Sequence, residues 1–231
     1  MKSSFVRSWM RPAHLPIMFA VFVVAFLWNA LDARSQSSPS AVRWSEGAAN
    51  AKLNVENGTR IETLTTDNVG ISAGLREMEK TEYNRAWIAV VNRGKIPLDF
   101  HPEAITLVNA KGKTIAAENP EKTADSIQRT GEAQANEMAS PNCTAMAGKT
   151  GMPGCQPTNT QVQVSKQILE FAGKQAEWAR SNGLKTKTLA PNEQAQGAVF
   201  FKQEKKATDY ILRIPIGSEV LEFPFSMPAH K

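Results

Sequence analysis

Histidine and cysteine are scarce in this chain of 231 residues, which contains three histidines and two cysteines. A serine or cysteine nucleophile needs a neighbouring base, and a zinc site needs three or four ligands at short spacing. His101 lies between Phe100 and Pro102 and has no second histidine two or four positions away, while His230 is the penultimate residue. The sequence therefore predicts no catalytic residues, no metal ligands and no cofactor.

Other signs of catalysis or of nucleic-acid binding are also lacking. No glycine-rich phosphate loop follows a strand. Glu77 and Glu79 alternate on a strand face that the pattern makes solvent-exposed, so they do not form an acid–base pair. The net charge of +5 is spread thinly, without a basic stripe, and this argues against a nucleic-acid partner. A hydrolase with an acid pair that the sequence does not reveal stays an alternative function.

No apolar run reaches the about 20 residues that a membrane-spanning helix needs. The run Leu15–Trp28 has 14 residues and includes Pro16. Lys2, Arg7 and Arg11 precede it, and small and polar residues follow it. A basic segment, an apolar segment and a small-residue segment in this order are typical of a bacterial export signal.

Residues 1–33 are therefore predicted to be a signal peptide that exports the protein to the periplasm or another extracytoplasmic compartment. In the alternative, the segment is not cleaved, and residues 15–31 anchor the chain in the inner membrane. The basic flank then stays on the cytoplasmic side. Both alternatives place the rest of the chain outside the cytoplasm.

The two cysteines, Cys143 and Cys155, would thus meet an oxidising compartment, where a disulfide is the expected state. The turn-rich loop between them would gain about 3 kcal/mol from closure. Met138, Met146 and Met152 lie around the cysteines, and soft sulfur ligands select Cu(I). The sequence predicts a Cys143–Cys155 disulfide, with a periplasmic copper-handling protein as an alternative function.

Short segments of alternating apolar and polar residues predict a mainly β domain. About eight or nine strands, with turn signals every 8–12 residues, favour an antiparallel β-sandwich. The strands are expected around residues 60–66, 69–75, 86–92, 96–100, 105–109, 113–116, 197–202, 209–214 and 219–225. The side chains expected to be buried between two sheets are Trp87, Ile88 or Val90, Phe200, Leu212 and Phe223.

The hydrophobic pattern also predicts how the chain is divided. Residues 34–58 show no sustained hydrophobic period and are interpreted as a linker. A short strand at Ala41–Trp44 within this linker is an alternative. Residues 59–226 are predicted to form the β-sandwich domain, interrupted by an insertion over 118–186. The insertion is expected to begin with a structureless loop of roughly 40 residues and to continue with one amphipathic helix over Thr160–Asn182.

A strand that ends in Val-x-Asn, a turn and a short x-Phe-x-Pro strand follow one another over Trp87–Pro102. The second half supplies four further segments of this pattern, Leu189–Glu193, Gly197–Phe201, Tyr210–Ile214 and Phe223–Phe225. Over residues 59–117 and 187–226 the chain resembles immunoglobulin-like modules of exported bacterial proteins of uncharacterised function. The resemblance implies an immunoglobulin-like β-sandwich and transfers no functional residues.

Taken together, these observations favour an exported, non-catalytic module that binds another protein or an envelope component. Strands supply packing, whereas long connections on a rigid scaffold more often carry binding. The insertion over 118–186 is therefore where we expect a partner to bind.

Overall fold

The computed structural model describes residues 40–140, 157–204 and 207–227. These residues form a mainly β protein, as predicted, with two α-helices. The predicted signal peptide or anchor (1–33) and the predicted Cys143–Cys155 disulfide lie outside the described residues. No helix within the described ranges is both long and apolar enough to cross a membrane.

The elements follow one another in the chain as twelve described strands, two α-helices and one short 3-10 helix. The first strands are β1 (Ser40–Arg43), β2 (Ala51–Glu56), β3 (Thr59–Thr65), β4 (Val69–Glu77), β5 (Tyr83–Asn92) and β6 (Leu98–Phe100). The 3-10 helix (Pro102–Ala104), β7 (Thr106–Asn109), β8 (Thr114–Ala116), α1 (Pro120–Ala139) and α2 (Asn159–Asn182) come next. The chain continues with β9 (Lys187–Leu189), β10 (Gln194–Lys202), β11 (Asp209–Ile216) and β12 (Glu219–Ser226).

Most strands belong to two five-stranded sheets. The first sheet has the order β1-β12-β11-β7-β8, and the second has the order β10-β5-β4-β3-β2. Pairing within both sheets is antiparallel except between β1 and β12, which run parallel. The short strands β6 and β9 form a separate antiparallel pair.

A single apolar core receives side chains from both five-stranded sheets. Ile88 and Val90 of β5, Leu212 of β11 and Phe223 of β12 are all fully buried in it, as predicted. These residues recur at every second position of their strands because successive side chains point to opposite faces.

The prediction that Trp87 and Phe200 join this core is wrong. Both side chains pack in a second apolar cluster, on the outer face of the second sheet, together with residues of α1 and α2. The neighbouring residues Ile88 and Phe201 take the inward positions. β10 is apolar on both faces because helices cover its outer side, so alternation alone does not show which phenylalanine points inward.

Asn92, the asparagine of the Val-x-Asn pattern, has a structural role at the end of β5. Its side-chain amide donates to the carbonyl oxygens of Ile96 and Leu189 at 2.8 and 2.9 Å. Its side-chain oxygen accepts from the N–H of Gly94 at 2.9 Å. Asn92 thus fastens the turn after β5 to the end of β9.

The interpretation of residues 34–58 as a linker is wrong from Ser40 onward. β1 pairs with β12, and β2 pairs with β3. Trp44 lies between β1 and β2 in the chain, and its side chain is buried. Its backbone N–H donates to the Glu222 carbonyl at 2.8 Å, and its indole N–H donates to the Lys52 carbonyl at 3.2 Å. This segment joins the edge of one sheet to the edge of the other and contributes to the core.

The prediction of a structureless first half of the insertion is also wrong. α1 occupies Pro120–Ala139, and the Asn119 side chain accepts from the N–H groups of Glu121 and Lys122 at its start. The predicted helix over Thr160–Asn182 is confirmed as α2, which begins with a capping box formed by Thr158 and Gln161. The insertion therefore contains a pair of helices.

Candidate binding site

Small residues allow α1 and α2 to approach each other closely. A Cβ atom added to Gly131 of α1 would lie 2.3 Å from the Cβ of Ala172 in α2. Further from the sheets, the Ser165 hydroxyl donates to the Ala135 carbonyl at 2.9 Å. The helix pair is therefore tightly fitted along its length and forms a firm support for the side chains beside it.

Alanine substitutions at two glycines of this pair should change stability in opposite directions. Gly131→Ala should destabilise the protein by about 1–2 kcal/mol, because overpacking of the helix contact outweighs the better helix propensity of alanine. Gly173→Ala, on the open side of α2 where an added Cβ meets nothing within 4 Å, should stabilise it by about 0.5–1 kcal/mol. Urea unfolding measures both; equal effects of the two changes would contradict the close helix contact.

Aromatic side chains attach the helix pair to the second sheet. The Trp178 ring of α2 meets the Phe200 ring of β10 edge-on, with ring centres 6.2 Å apart. The Arg85 guanidinium of β5 lies 4.5 Å from the centre of the Trp178 ring. Burial, together with the nearby charge of Arg76, lowers the pKa of Arg85. Trp178 of α2 therefore contacts both the Arg85 cation and the Phe200 ring of the second sheet.

Polar contacts fix both ends of the insertion. The N–H groups of Glu118, before α1, and of Leu184, after α2, donate to carbonyl oxygens of β10 at 2.8 and 2.9 Å. The Arg180 side chain of α2 reaches the carboxylates of Glu121 and Asp125 in α1 at 3.2 and 2.8 Å. The helices therefore leave and rejoin the sheets at one well-defined place.

A cleft of about 240 Å³ opens where the helix pair meets the turn between β4 and β5. Ile127, Ile168 and Phe171 give it apolar walls. Lys80, in the turn, has a left-handed backbone (φ 57°), and its ammonium group lies 4.9 Å from the centre of the Phe171 ring. Ser126, Thr130, Gln134 and Gln167 add polar groups to the lining. We call this feature the helix–turn cleft.

The helix–turn cleft combines an apolar interior with one cation, Lys80, and one exposed carboxylate, Glu82, both from the turn. Its volume is below the about 300–1,000 Å³ of typical small-molecule pockets, so its size suits a single apolar or aromatic side chain. The ammonium of Lys80 lies over one face of Phe171, where a carboxylate next to the bound side chain could pair with it. The arrangement supports binding of an anchor side chain.

His101, the one histidine among the described residues, lies apart from this cleft. His101 is exposed after β6, with its Nδ1 atom 2.9 Å from a carboxylate oxygen of Glu103. The other carboxylate oxygen of Glu103 accepts from the Thr186 hydroxyl at 2.8 Å. His101 therefore takes part in a surface hydrogen-bonded group that joins the 3-10 helix to the segment after α2.

The residues considered for metal or acid chemistry lie either outside the helix–turn cleft or outside the described residues. Glu77 is half-buried at the end of β4, Glu79 is exposed in the following turn, and Met138 is exposed near the end of α1. Cys143, Cys155, Met146 and Met152 lie outside the described residues. In the described ranges, no group of three or more His, Cys, Asp or Glu side chains is placed to hold a metal ion.

A buried carboxylate that sequence reasoning missed lies elsewhere, between the sheets. Glu62 of β3 has no exposed surface; one carboxylate oxygen accepts from Arg60 at 2.8 Å, and the other has no hydrogen-bonding partner among the described residues. The Arg60 guanidinium also lies 5.0 Å from the centre of the Trp44 ring. Burial raises the pKa of Glu62 to about 7, although the charge and hydrogen bond of Arg60 oppose this and Glu46 adds slightly to it.

Comparison with known proteins gives no relative from which to transfer a function. No family model, no curated protein and no solved structure matches this chain. The function is therefore argued from the geometry of the chain's own residues.

Proposed function

We propose that this protein is an exported, non-catalytic binding module of the bacterial envelope that holds a partner protein through the helix–turn cleft. In this proposal residues 1–33 export the chain or anchor it in the inner membrane. The two facing sheets are an immunoglobulin-like β-sandwich that serves as the scaffold. The partner contributes one apolar or aromatic anchor side chain with a neighbouring carboxylate.

The observation that carries the proposal is the apolar interior of the cleft, which no described residue covers, on a rigid support. Phe171 and Ile168 are only partly buried, although the helix beside them is fixed by close packing at Gly131 and Ala172. Interface energy is concentrated in a few anchor side chains that fill well-formed pockets. A preformed pocket of this size on a rigid element fits that mode of recognition.

The scaffold part of the proposal is supported by the arrangement of the strands. Two mostly antiparallel sheets enclose one core, and the long insertion lies between β8 and β9, at the edge of the resemblance to immunoglobulin-like modules. Binding through a long connection between strands of a rigid domain is a common arrangement in such proteins.

Site-specific photo-cross-linking tests the cleft directly in cells that express the full chain. A photoreactive amino acid at Gln134, on the cleft, should capture a discrete partner, identified by mass spectrometry. The same amino acid at Gln128, which is exposed on α1 but does not line the cleft, is the matched control. Adding Phe171→Glu should reduce capture at position 134 by about tenfold or more, since it places a charge in the anchor pocket.

Two results would contradict the proposed function. Capture of the same proteins at positions 134 and 128 would show that the contact is not specific to the cleft. Capture at position 134 that is unaffected by Phe171→Glu, in a variant whose circular dichroism matches the parent, would show that the apolar interior does not hold the partner.

A further inference from the structure

β10 and β2 are the outer strands of the second sheet, and they differ in whether other described residues cover their outer edges. On β10, carbonyl oxygens at the edge accept hydrogen bonds from Glu118 and Leu184, so the insertion covers it. On β2, at the other end of the sheet, no strand of the described chain pairs with the outer edge. An uncovered edge strand presents unpaired N–H and C=O groups and is a template for pairing with another chain.

The backbone groups that face this edge can be assigned from the register. The Thr65 N–H donates to the Asn50 carbonyl, and this places the even-numbered residues of the strand toward β3. Leu53 and Val55 therefore direct their backbone groups outward. Their side chains are 40% and 64% exposed. The Val55 N–H is held by the side-chain oxygen of Asn54 at 2.9 Å, a contact within one strand.

The side chains of β2 are complementary to those of a second β2 that runs antiparallel to it. We infer that β2 is a self-association edge, which pairs with β2 of a second copy about a two-fold axis at Asn54. In this register Leu53 lies opposite Val55 of the second copy, and Lys52 lies opposite Glu56 of the second copy. A parallel, in-register pairing would instead place Lys52 against Lys52, so the charges favour the antiparallel arrangement.

The antiparallel register uses the backbone groups of β2 that do not pair with β3. On each side of the axis, Leu53 of one copy and Val55 of the other exchange two backbone hydrogen bonds, which gives four in total. The N–H of Val55 leaves the Asn54 side chain and donates to the carbonyl of Leu53 in the second copy. The apolar side chains of both copies then cover one another on the side of the sheet that carries Glu62 and Leu64. This inference does not depend on the helix–turn cleft.

Cysteine cross-linking in cells that express the full chain tests the register. Asn54→Cys should form a disulfide-linked dimer, because residues opposite at a non-hydrogen-bonded position have Cα atoms about 4.5 Å apart, within disulfide range. Lys52→Cys and Glu56→Cys should each fail to link with themselves, since the identical residues lie about 13 Å apart along the strands. The two variants should link with each other when expressed together. The parent chain, with its own two cysteines, is the background control.

Charge exchange gives an independent test of the same pairing. Lys52→Glu should reduce the Asn54→Cys dimer yield about tenfold, because it sets two pairs of like charges opposite one another. Adding Glu56→Lys should restore the yield. The inference is overturned if Asn54→Cys gives no dimer above the parent in protease-resistant protein. It is also overturned if Lys52→Cys alone links as well as Asn54→Cys, or if the charge exchange has no effect.

Discussion

Replacing Phe223 with alanine should lower the free energy of unfolding by about 3–5 kcal/mol. Phe223 lies on β12, opposite Leu212, and is completely buried in the core between the two sheets. Removal of the ring takes away its burial and leaves a cavity that the surrounding strands fill only in part. For a domain of this size the melting temperature should fall by about 6–20 °C.

Urea unfolding followed by tryptophan fluorescence measures this loss. Leu169→Ala is the matched control, because Leu169 is 45% exposed on α2 and its truncation should change stability by less than about 0.5 kcal/mol. A Phe223→Ala protein within half a kcal/mol of the parent would show that β12 does not pack in the core.

The second large effect should come from Glu62, through the pH dependence of stability. Its pKa is raised to about 7 in the folded protein, against an ordinary value of 4.5. The folded state therefore holds this proton more tightly than the unfolded state. The resulting stabilisation is fully present below pH 4.5 and is lost as the pH rises through about 7. The size of this loss is about 3 kcal/mol.

Glu62→Gln isolates this contribution because glutamine has a similar shape and no charge at any pH. The variant should be more stable than the parent at pH 8 by up to about 3 kcal/mol, and the difference should shrink toward pH 4.5. Urea unfolding at a series of pH values measures the difference. Glu79→Gln, at an exposed turn position, should follow the parent throughout. A difference between parent and Glu62→Gln that stays constant from pH 4.5 to 8 would rule out the buried titration.

The strands could be predicted from the sequence where alternation is regular, and α1 could not be predicted from apolar periodicity. Its buried residues are mostly small, among them Ala124, Gly131 and Ala135, and Ile127 is its one large buried apolar side chain. A close helix contact requires small residues, and these produce a weak apolar stripe. Asn119 followed by Pro120 is a helix-start signal that could have located it.

Glu62 shows a second limit of pattern reading. The segment around it contains Ile61 and Leu64, which are three positions apart and therefore lie on opposite faces of a strand. Leu64 points to the core, and Glu62 points the same way because it is two positions before Leu64. Nothing in the local sequence shows which of the two apolar residues faces inward, so the burial of the carboxylate follows only from the pairing of the strands.

The helix–turn cleft depends on contacts that are distant in the chain. The amphipathic pattern predicts α2 to within one residue at its start. The pocket itself arises because Lys80, on the β4–β5 turn, meets Phe171 of α2. Such an encounter is set by how the helix pair lies on the second sheet, which local periodicity does not specify.

The parallel pairing of β1 with β12 has a consequence for how the protein folds. These strands are the first and last of the described domain, and Trp44 closes the core immediately after β1. During synthesis, β1 cannot pair and Trp44 cannot become buried in the completed core until β12 has been made. Contacts between distant parts of a chain slow folding, so an incomplete chain leaves the apolar surface around Trp44 open for longer.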